Sequence, residues 1–285
     1  MILGRSPKRS HGASAVVTGA GSGIGAAFSI ELARRGSAVV CSDIDDDAAQ
    51  RTVDTIAATG GRATAVQCDV SQIDAVTALA EAAQVWFGGP PSLVINNAGV
   101  GAGGQPIGEM ALDDWDWTLG INLWGPIHGC HVFTPLLREA RFDQPRGIIN
   151  VASAASFGAA PDMAAYNVSK AGVLSLSETL AAELSGTGIG VTVLCPTFVK
   201  TNIVESGRIS AQSSEAANLL MRWTGLSAQR VARDCLDTND RGGLYCMPQL
   251  DAKIGWNIKR FAPETFTRTI GLAFRASAAL PGRTD

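Results

Sequence analysis

Ala15-Val16-Val17-Thr18-Gly19-Ala20-Gly21-Ser22-Gly23-Ile24-Gly25 is the stretch on which the fold turns. The apolar residues predict a short strand and the glycine cluster a tight turn. Ala26, Phe28, Ile30, Leu32 and Ala33 then set the spacing of a helix. A strand that enters a helix through glycines makes an anion site. The backbone can come close to a pyrophosphate, and the first turn of the helix offers unpaired N–H groups.

The same rhythm continues downstream. Ala38 to Ser42 reads as a second strand ending in Asp43. A carboxylate there can accept both hydroxyls of an adenosine ribose and would repel a 2′-phosphate. The other reading is that Asp43 only caps the helix that begins near Asp45 to Asp47. Arg62 to Cys68 is a third strand, followed by Asp69-Val70, with Ser71 expected to cap a helix through Val76, Leu79 and Val85. Leu93-Val94-Ile95 is apolar throughout, as in a parallel sheet covered on both faces, and runs into Asn96-Asn97-Ala98-Gly99. Strands at Gly147–Val151 and Gly190–Cys195 complete the repeat, with Gly243–Met247 a last one stopped by Pro248. The expectation is a single α/β domain over 1–285, doubly wound, with a mostly parallel seven-stranded Rossmann-type sheet and helices on both faces. Ligands of such sheets bind beyond the carboxyl ends of the strands, where each distinctive residue falls.

Composition narrows the class. The chain has 285 residues, is 46% apolar and 17% charged, and carries a net charge of −3, which favours a globular protein and gives no reason to expect nucleic acid as a partner. Six cysteines at 41, 68, 130, 195, 235 and 246 form no Cys-x-x-Cys pair, so buried reduced thiols in a cytoplasmic protein are expected rather than a disulfide frame or a metal site. Met1 to Ser14 is polar and basic, unlike a secretory signal. No apolar run approaches the ~20 residues that cross a bilayer.

Tyr166 and Lys170 lie one turn apart on a predicted helix carrying Val173, Leu174, Leu176, Leu180 and Leu184. An ammonium beside a phenol favours the phenolate, which makes Tyr166 a candidate acid/base. Ser153, after the fifth strand, carries a hydroxyl that could donate to a substrate oxygen. Leu112–Leu137 reads as one long helix in which Asn122 is either a satisfied core amide or a kink. His128 and His131 lie on it without partners for a metal and read as packing or interface residues.

Taken in order, Thr18-Gly-x-x-x-Gly-Ile-Gly25, Asp69, Asn96-Asn-Ala-Gly99, Ser153 and Tyr166-x-x-x-Lys170 resemble the short-chain dehydrogenase/reductase family over roughly residues 13–201. The resemblance implies that Ser153 orients a carbonyl or alkoxide and Tyr166 transfers its proton. It further implies that Lys170 lowers the Tyr166 pKa and contacts the nicotinamide ribose, while Asn122 breaks its helix and supports a proton relay. The cofactor positions it implies are Gly19, Ser22, Gly23, Ile24, Gly25, Asp43, Asp69, Val70, Asn97, Ala98, Gly99, Tyr166, Lys170, Pro196, Val199 and Thr201. Thr197 departs from the family's Pro-Gly at a place beside the nicotinamide. Asp43 and the acids after it point to NAD(H) over NADP(H). The implied reaction is the interconversion of a secondary alcohol and a ketone. A reductase of 3-oxoacyl thioesters and a non-catalytic dinucleotide sensor are the rivals. The resemblance also implies a homotetramer or homodimer.

Residues 202–226 occupy the place of the family's substrate lid, and their apolar tone (Ile203, Val204, Leu219, Leu220, Met221, Trp223) suggests an uncharged or lipophilic small-molecule substrate. The extension 250–285 mixes Ile254, Trp256, Ile258, Phe261, Phe266 and Ile270 with lysines and arginines. Such a segment can lie on a membrane surface, dock on a neighbour, or pack as an extra helix that closes the pocket.

Overall fold

The computed structural model describes residues 8–140, 145–201, 207–209 and 225–278. Most of the expected lid lies outside the described residues.

β1 (Ser14–Thr18), β2 (Ala38–Asp43), β3 (Arg62–Gln67), β4 (Leu93–Asn96), β6 (Arg146–Val151), β7 (Ile189–Leu194) and β11 (Tyr245–Cys246) form one sheet in the order β11-β7-β6-β4-β1-β2-β3. Every pairing in it is parallel. Short pairs β5 (Ala102–Gly103) with β9 (Arg208–Ile209), and β8 (Val199–Lys200) with β10 (Leu226–Ser227), lie outside it.

The apolar strands alternate between two cores. Val17, Leu93, Ile95 and Ile149 face one layer, where Phe28 and Leu32 of α1 (Gly23–Arg34) meet Val231, Cys235 and Leu236 of the later helix over Ala228–Asp240. Val16, Val94 and Ile148 face the other, packing on α3 (Ile73–Phe87), α5 (Gly125–Glu139) and α7 (Ala164–Glu183). Strands buried on both faces therefore need no polar alternation. α2 (Asp46–Ala57) is capped by Asp45, whose side chain accepts from Ala48 N–H at 3.0 Å. The capping role weighed for Asp43 thus belongs to Asp45. Ser71 does not cap α3. The N-cap position is Gln72, and Asp69 Oδ1 instead accepts from Ser71 N–H at 2.9 Å.

The single helix expected over 112–137 is broken. α4 (Leu112–Leu119) gives way to a π-turn at Gly120–Trp124 before α5 begins. Beyond the short α6 (Ala155–Gly158) and α7, the chain adds α8 (Ala228–Asp240), α9 (Leu250–Phe261) and α10 (Pro263–Ala278). Ser227 caps α8 by accepting from Arg230 N–H. Within the extension, Ala252 is buried and Trp256 packs on Phe157, while Leu250, Ile254, Phe261 and Leu272 are exposed.

Because β1 lies between β2 and β4, the chain reverses its direction of travel across the sheet there. The carboxyl ends of β1 and β4 part to leave a crevice.

Candidate active site

A cleft of about 600 Å³ opens over that crevice. Gly19, Ser22, Gly23 and Ile24 line one end, with Asp43, Asp69 and Val70. Gly19 and Gly23 have positive φ values of 64° and 55°, a conformation that costs glycine little and other residues more. Ser22 precedes α1 without a side-chain cap bond, which leaves first-turn N–H groups available to an anion. The Asp43 carboxylate accepts from Gly21 N–H at 2.8 Å and from Asp45 N–H at 3.1 Å, so it is held at the edge of the glycine turn.

Gly25 does not line the cleft, in contrast to the cofactor contact expected of it. A Cβ there would run into the Gly19 carbonyl oxygen and the Asn97 amide, so Gly25 serves the close packing of the turn on its helix. Asn97 lines the cleft, yet its side chain is committed to the protein: Nδ2 donates to the carbonyls of Thr18 at 2.9 Å and Gly19 at 3.2 Å. Thr18 completes the lock, its Oγ1 accepting from the N–H groups of Asn97 and Ala98 at 3.0 and 3.1 Å. Thr18 was visible as part of the motif, but its bridging role needed the neighbouring strand to be placed. His128 is a further support, donating from Nδ1 to the Val70 carbonyl at 2.9 Å.

Asn122 also stands back from the cleft wall. It is fully buried in the π-turn, where Nδ2 donates to the Val100 carbonyl and Oδ1 accepts from Val100 N–H, both at 2.8 Å. The core-amide reading and the kink reading therefore hold together, since the amide that disturbs the helix is the one that pins Val100. A Cβ on Gly99 would lie 3.0 Å from Asn122 Oδ1 and 3.3 Å from Lys170 Nζ, so the three converge.

Ser153, Tyr166 and Lys170 share the cleft wall. Ser153 follows β6, and its Oγ accepts from Ala155 N–H at 3.1 Å. Tyr166 stands in the first turn of α7. Its ring is half-buried in the cleft wall, and the protein packed around it pushes the phenol pKa up, while the Ser153 hydroxyl pulls it down. The expected lowering of Tyr166 by Lys170 is not what these residues produce. Lys170 Nζ lies 5.7 Å from the Tyr166 ring centre and donates to the Val151 carbonyl at 3.1 Å. Burial pulls the Lys170 ammonium itself down to about 8.

Pro196, Thr197, Phe198, Val199 and Thr201 close the third side, and Met163, Ile209 and Ile270 supply apolar wall. These last three carried no chemical signature in the sequence. All six cysteines are free and buried. Among the described residues, no group of His, Cys, Asp and Glu is placed to hold a metal, and no helix is long and apolar enough to cross a membrane.

Comparison with known proteins places the chain in a family. Residues 13–211 match the family model of short chain dehydrogenases. A "Probable oxidoreductase EphD" of Mycobacterium tuberculosis is 39% identical over 203 residues, covering 70% of this chain. The match spans only 33% of that relative's length. The 1-deoxy-11-beta-hydroxypentalenate dehydrogenase of Streptomyces exfoliatus is 37% identical over 226 residues, 76% of this chain and 80% of its own. Among solved structures, a short-chain dehydrogenase/reductase from Burkholderia phymatum in complex with NAD superposes with a TM-score of 0.84 at 34% identity, covering 91% of this chain and 96% of the other. The chain belongs to the short-chain dehydrogenase/reductase family of oxidoreductases.

Proposed function

We propose that this protein interconverts a secondary alcohol and a ketone with NAD(H), acting on an uncharged or lipophilic substrate. The observation that carries the reading is one continuous cleft that joins an anion-binding glycine turn to a wall bearing Ser153, Tyr166 and Lys170. A dinucleotide fits the residues present. The cleft runs along the glycine turn, and the helix behind it has uncapped N–H groups for the phosphates. Asp43, at the end of β2, would hold the ribose hydroxyls and repel a 2′-phosphate.

Bound nicotinamide supplies or accepts the hydride. The protein manages the proton. In the oxidation direction the Tyr166 phenolate takes the proton from the substrate hydroxyl, and Ser153 donates to the same oxygen to hold it in place. Because burial raises the Tyr166 pKa, the chain needs groups that favour the phenolate, and Ser153 is one of them. Lys170, held against the Val151 carbonyl, places an ammonium below the ring and near Gly99. Asn122 fixes Val100 and so shapes the floor between the two ends.

NADH formation with secondary alcohols, using NAD and NADP in parallel on wild type and Tyr166→Phe, tests this reading. Wild type should turn over with NAD, and the variant should lose about a thousandfold in kcat. Full activity in the variant would remove Tyr166 from the mechanism, and a preference for NADP would overturn the reading of Asp43.

A further inference from the structure

Thr197 and the C-terminal helices meet at one end of the cleft. α9 and α10 lie beyond the 13–211 segment that matches the family, and Thr197 stands where the family pattern has glycine. The structure joins them. Gln249 Oε1 accepts from Thr197 N–H at 3.3 Å, and Gln249 Nε2 donates to the Phe198 carbonyl at 3.0 Å. The Thr197 hydroxyl donates to Asp251 Oδ1 at 3.3 Å. The start of α9 is thus tied to the loop that follows β7.

Further along α9, Trp256 meets Phe157 edge-on at 5.2 Å between ring centres. Phe157 belongs to α6, which begins two residues after Ser153. α10 returns over α9, with the Phe266 ring beside Gly255. Ile270 is one turn beyond Phe266 on the same face, and it reaches the cleft wall. Leu272, two residues on, points to solvent at 66% exposure. Ile270 is therefore delivered by a helix anchored next to the reacting groups rather than by the glycine end.

The charges on the described cleft wall are Asp43, Asp69 and Lys170. The first two belong to the dinucleotide end and the third sits beneath Tyr166. Among the described lining residues, none at the Ile270 end carries a charge to pair with a charged substrate group, which would lose its hydration there. We propose that α10, braced by α9, forms the end wall of the substrate pocket, and that Ile270 is a specificity-determining residue selecting a hydrocarbon group on the carbon that reacts. This rests on the oxidoreductase reading of the same cleft.

The test is NAD-dependent oxidation of the series from 2-propanol to 2-decanol by wild type, Ile270→Ala, Ile270→Asp and Thr197→Val. Alongside it, binding of the matching 2-alkanones to the enzyme–NADH complex is followed by NADH fluorescence. In wild type, kcat/KM and ketone affinity should both climb with chain length. Ile270→Ala should cut the long-chain advantage about tenfold and Ile270→Asp about a hundredfold, mainly through KM. Thr197→Val keeps the branched side chain but loses the tie to Asp251, and should cut the advantage about threefold. The same climb in wild type and Ile270→Asp would overturn the proposal. If no alcohol is oxidised but ketone affinity climbs with chain length and collapses in Ile270→Asp, the end wall stands and the reaction reading falls. Ketone affinity indifferent to chain length or to Ile270→Asp overturns the proposal whatever the turnover.

Discussion

Between Gly19 and Gly25 the cleft wall is backbone locked in place by the side chains of Thr18, Asp43 and Asn97, whereas at its far end Met163, Phe198 and Ile270 are apolar side chains delivered by separate elements. The first construction tolerates almost no change of residue, because a Cβ on Gly19 or Gly25 would strike the Asn97 amide, one on Gly21 the Ala48 and Asp43 side chains, and one on Gly23 would press on Thr201. The second tolerates many, because any apolar side chain of suitable length can line a pocket. A conserved-looking motif and an anonymous one can thus occupy the same cleft for purely physical reasons, and the two ends should answer differently to the same perturbation.

The sharpest way to break the comparison is one methyl group placed at each end. Gly25→Ala puts a Cβ onto the Gly19 carbonyl oxygen, while Gly158→Ala, also at the cleft, meets no atom within 4 Å. Gly25→Ala should lose about 3 kcal/mol of stability and weaken NADH binding about a hundredfold. Gly158→Ala should stay within about 0.5 kcal/mol. Thermal unfolding and NADH fluorescence titration read both, and equal effects would mean that the glycine turn is as forgiving as the substrate wall.

Charge at the dinucleotide end comes next. Asp43→Asn keeps an oxygen to accept from Gly21 N–H but removes the repulsion toward a 2′-phosphate. The ratio of kcat/KM for NAD to that for NADP should fall about tenfold to a hundredfold. An unmoved ratio would place the discrimination in the backbone of the turn instead.

Legibility followed the same division. The strands could be read because residues such as Val94 and Ile148 are apolar on both faces, and the motif residues because a tight turn or an acid/base pair demands particular chemistry. What escaped was whatever depends on a distant partner. Asn122 pins Val100 from 22 residues away, Gln249 and Asp251 brace a loop about 50 residues earlier, and Ile270 reaches the cleft by way of Trp256 and Phe157. The expected effect of Lys170 on Tyr166 went astray for a related reason. Spacing on a helix places two side chains on one face but does not say how deeply each is buried, and here burial dominates both groups.

That dominance makes a testable pH effect. Ser153 is the group that pulls the Tyr166 pKa down against burial. Ser153→Ala should therefore raise it further. In the mechanism proposed above oxidation draws on the phenolate, so the rising limb of kcat/KM should move to higher pH, on top of about a tenfold loss in rate. A limb that stays put or moves to lower pH would show that another group titrates there.

Lys170 offers the smallest effect and one of opposite sign. It is 3% exposed and held at about 8, against an ordinary 10.5, because burial disfavours its charge. The gap corresponds to about 3 kcal/mol that folding loses at neutral pH by enclosing the ammonium. The hydrogen bond to the Val151 carbonyl returns part of this. Lys170→Met should then be more stable than wild type by about 1 kcal/mol at pH 7 while losing activity, since in the proposed mechanism the charge serves the site rather than the fold. The unfolded chain holds its proton up to 10.5 but the folded one releases it near 8, so between these values the unfolded state binds more protons and wild type gains stability as pH rises. The advantage of the variant should accordingly be full well below pH 8, vanish near about pH 9 and turn into a deficit of about 2 kcal/mol by about pH 10.5 in denaturant melts across that range. A variant less stable than wild type at pH 7 would mean that the bond to Val151 outweighs the cost of the buried charge, and that this end of the cleft is held together by the Lys170 ammonium after all.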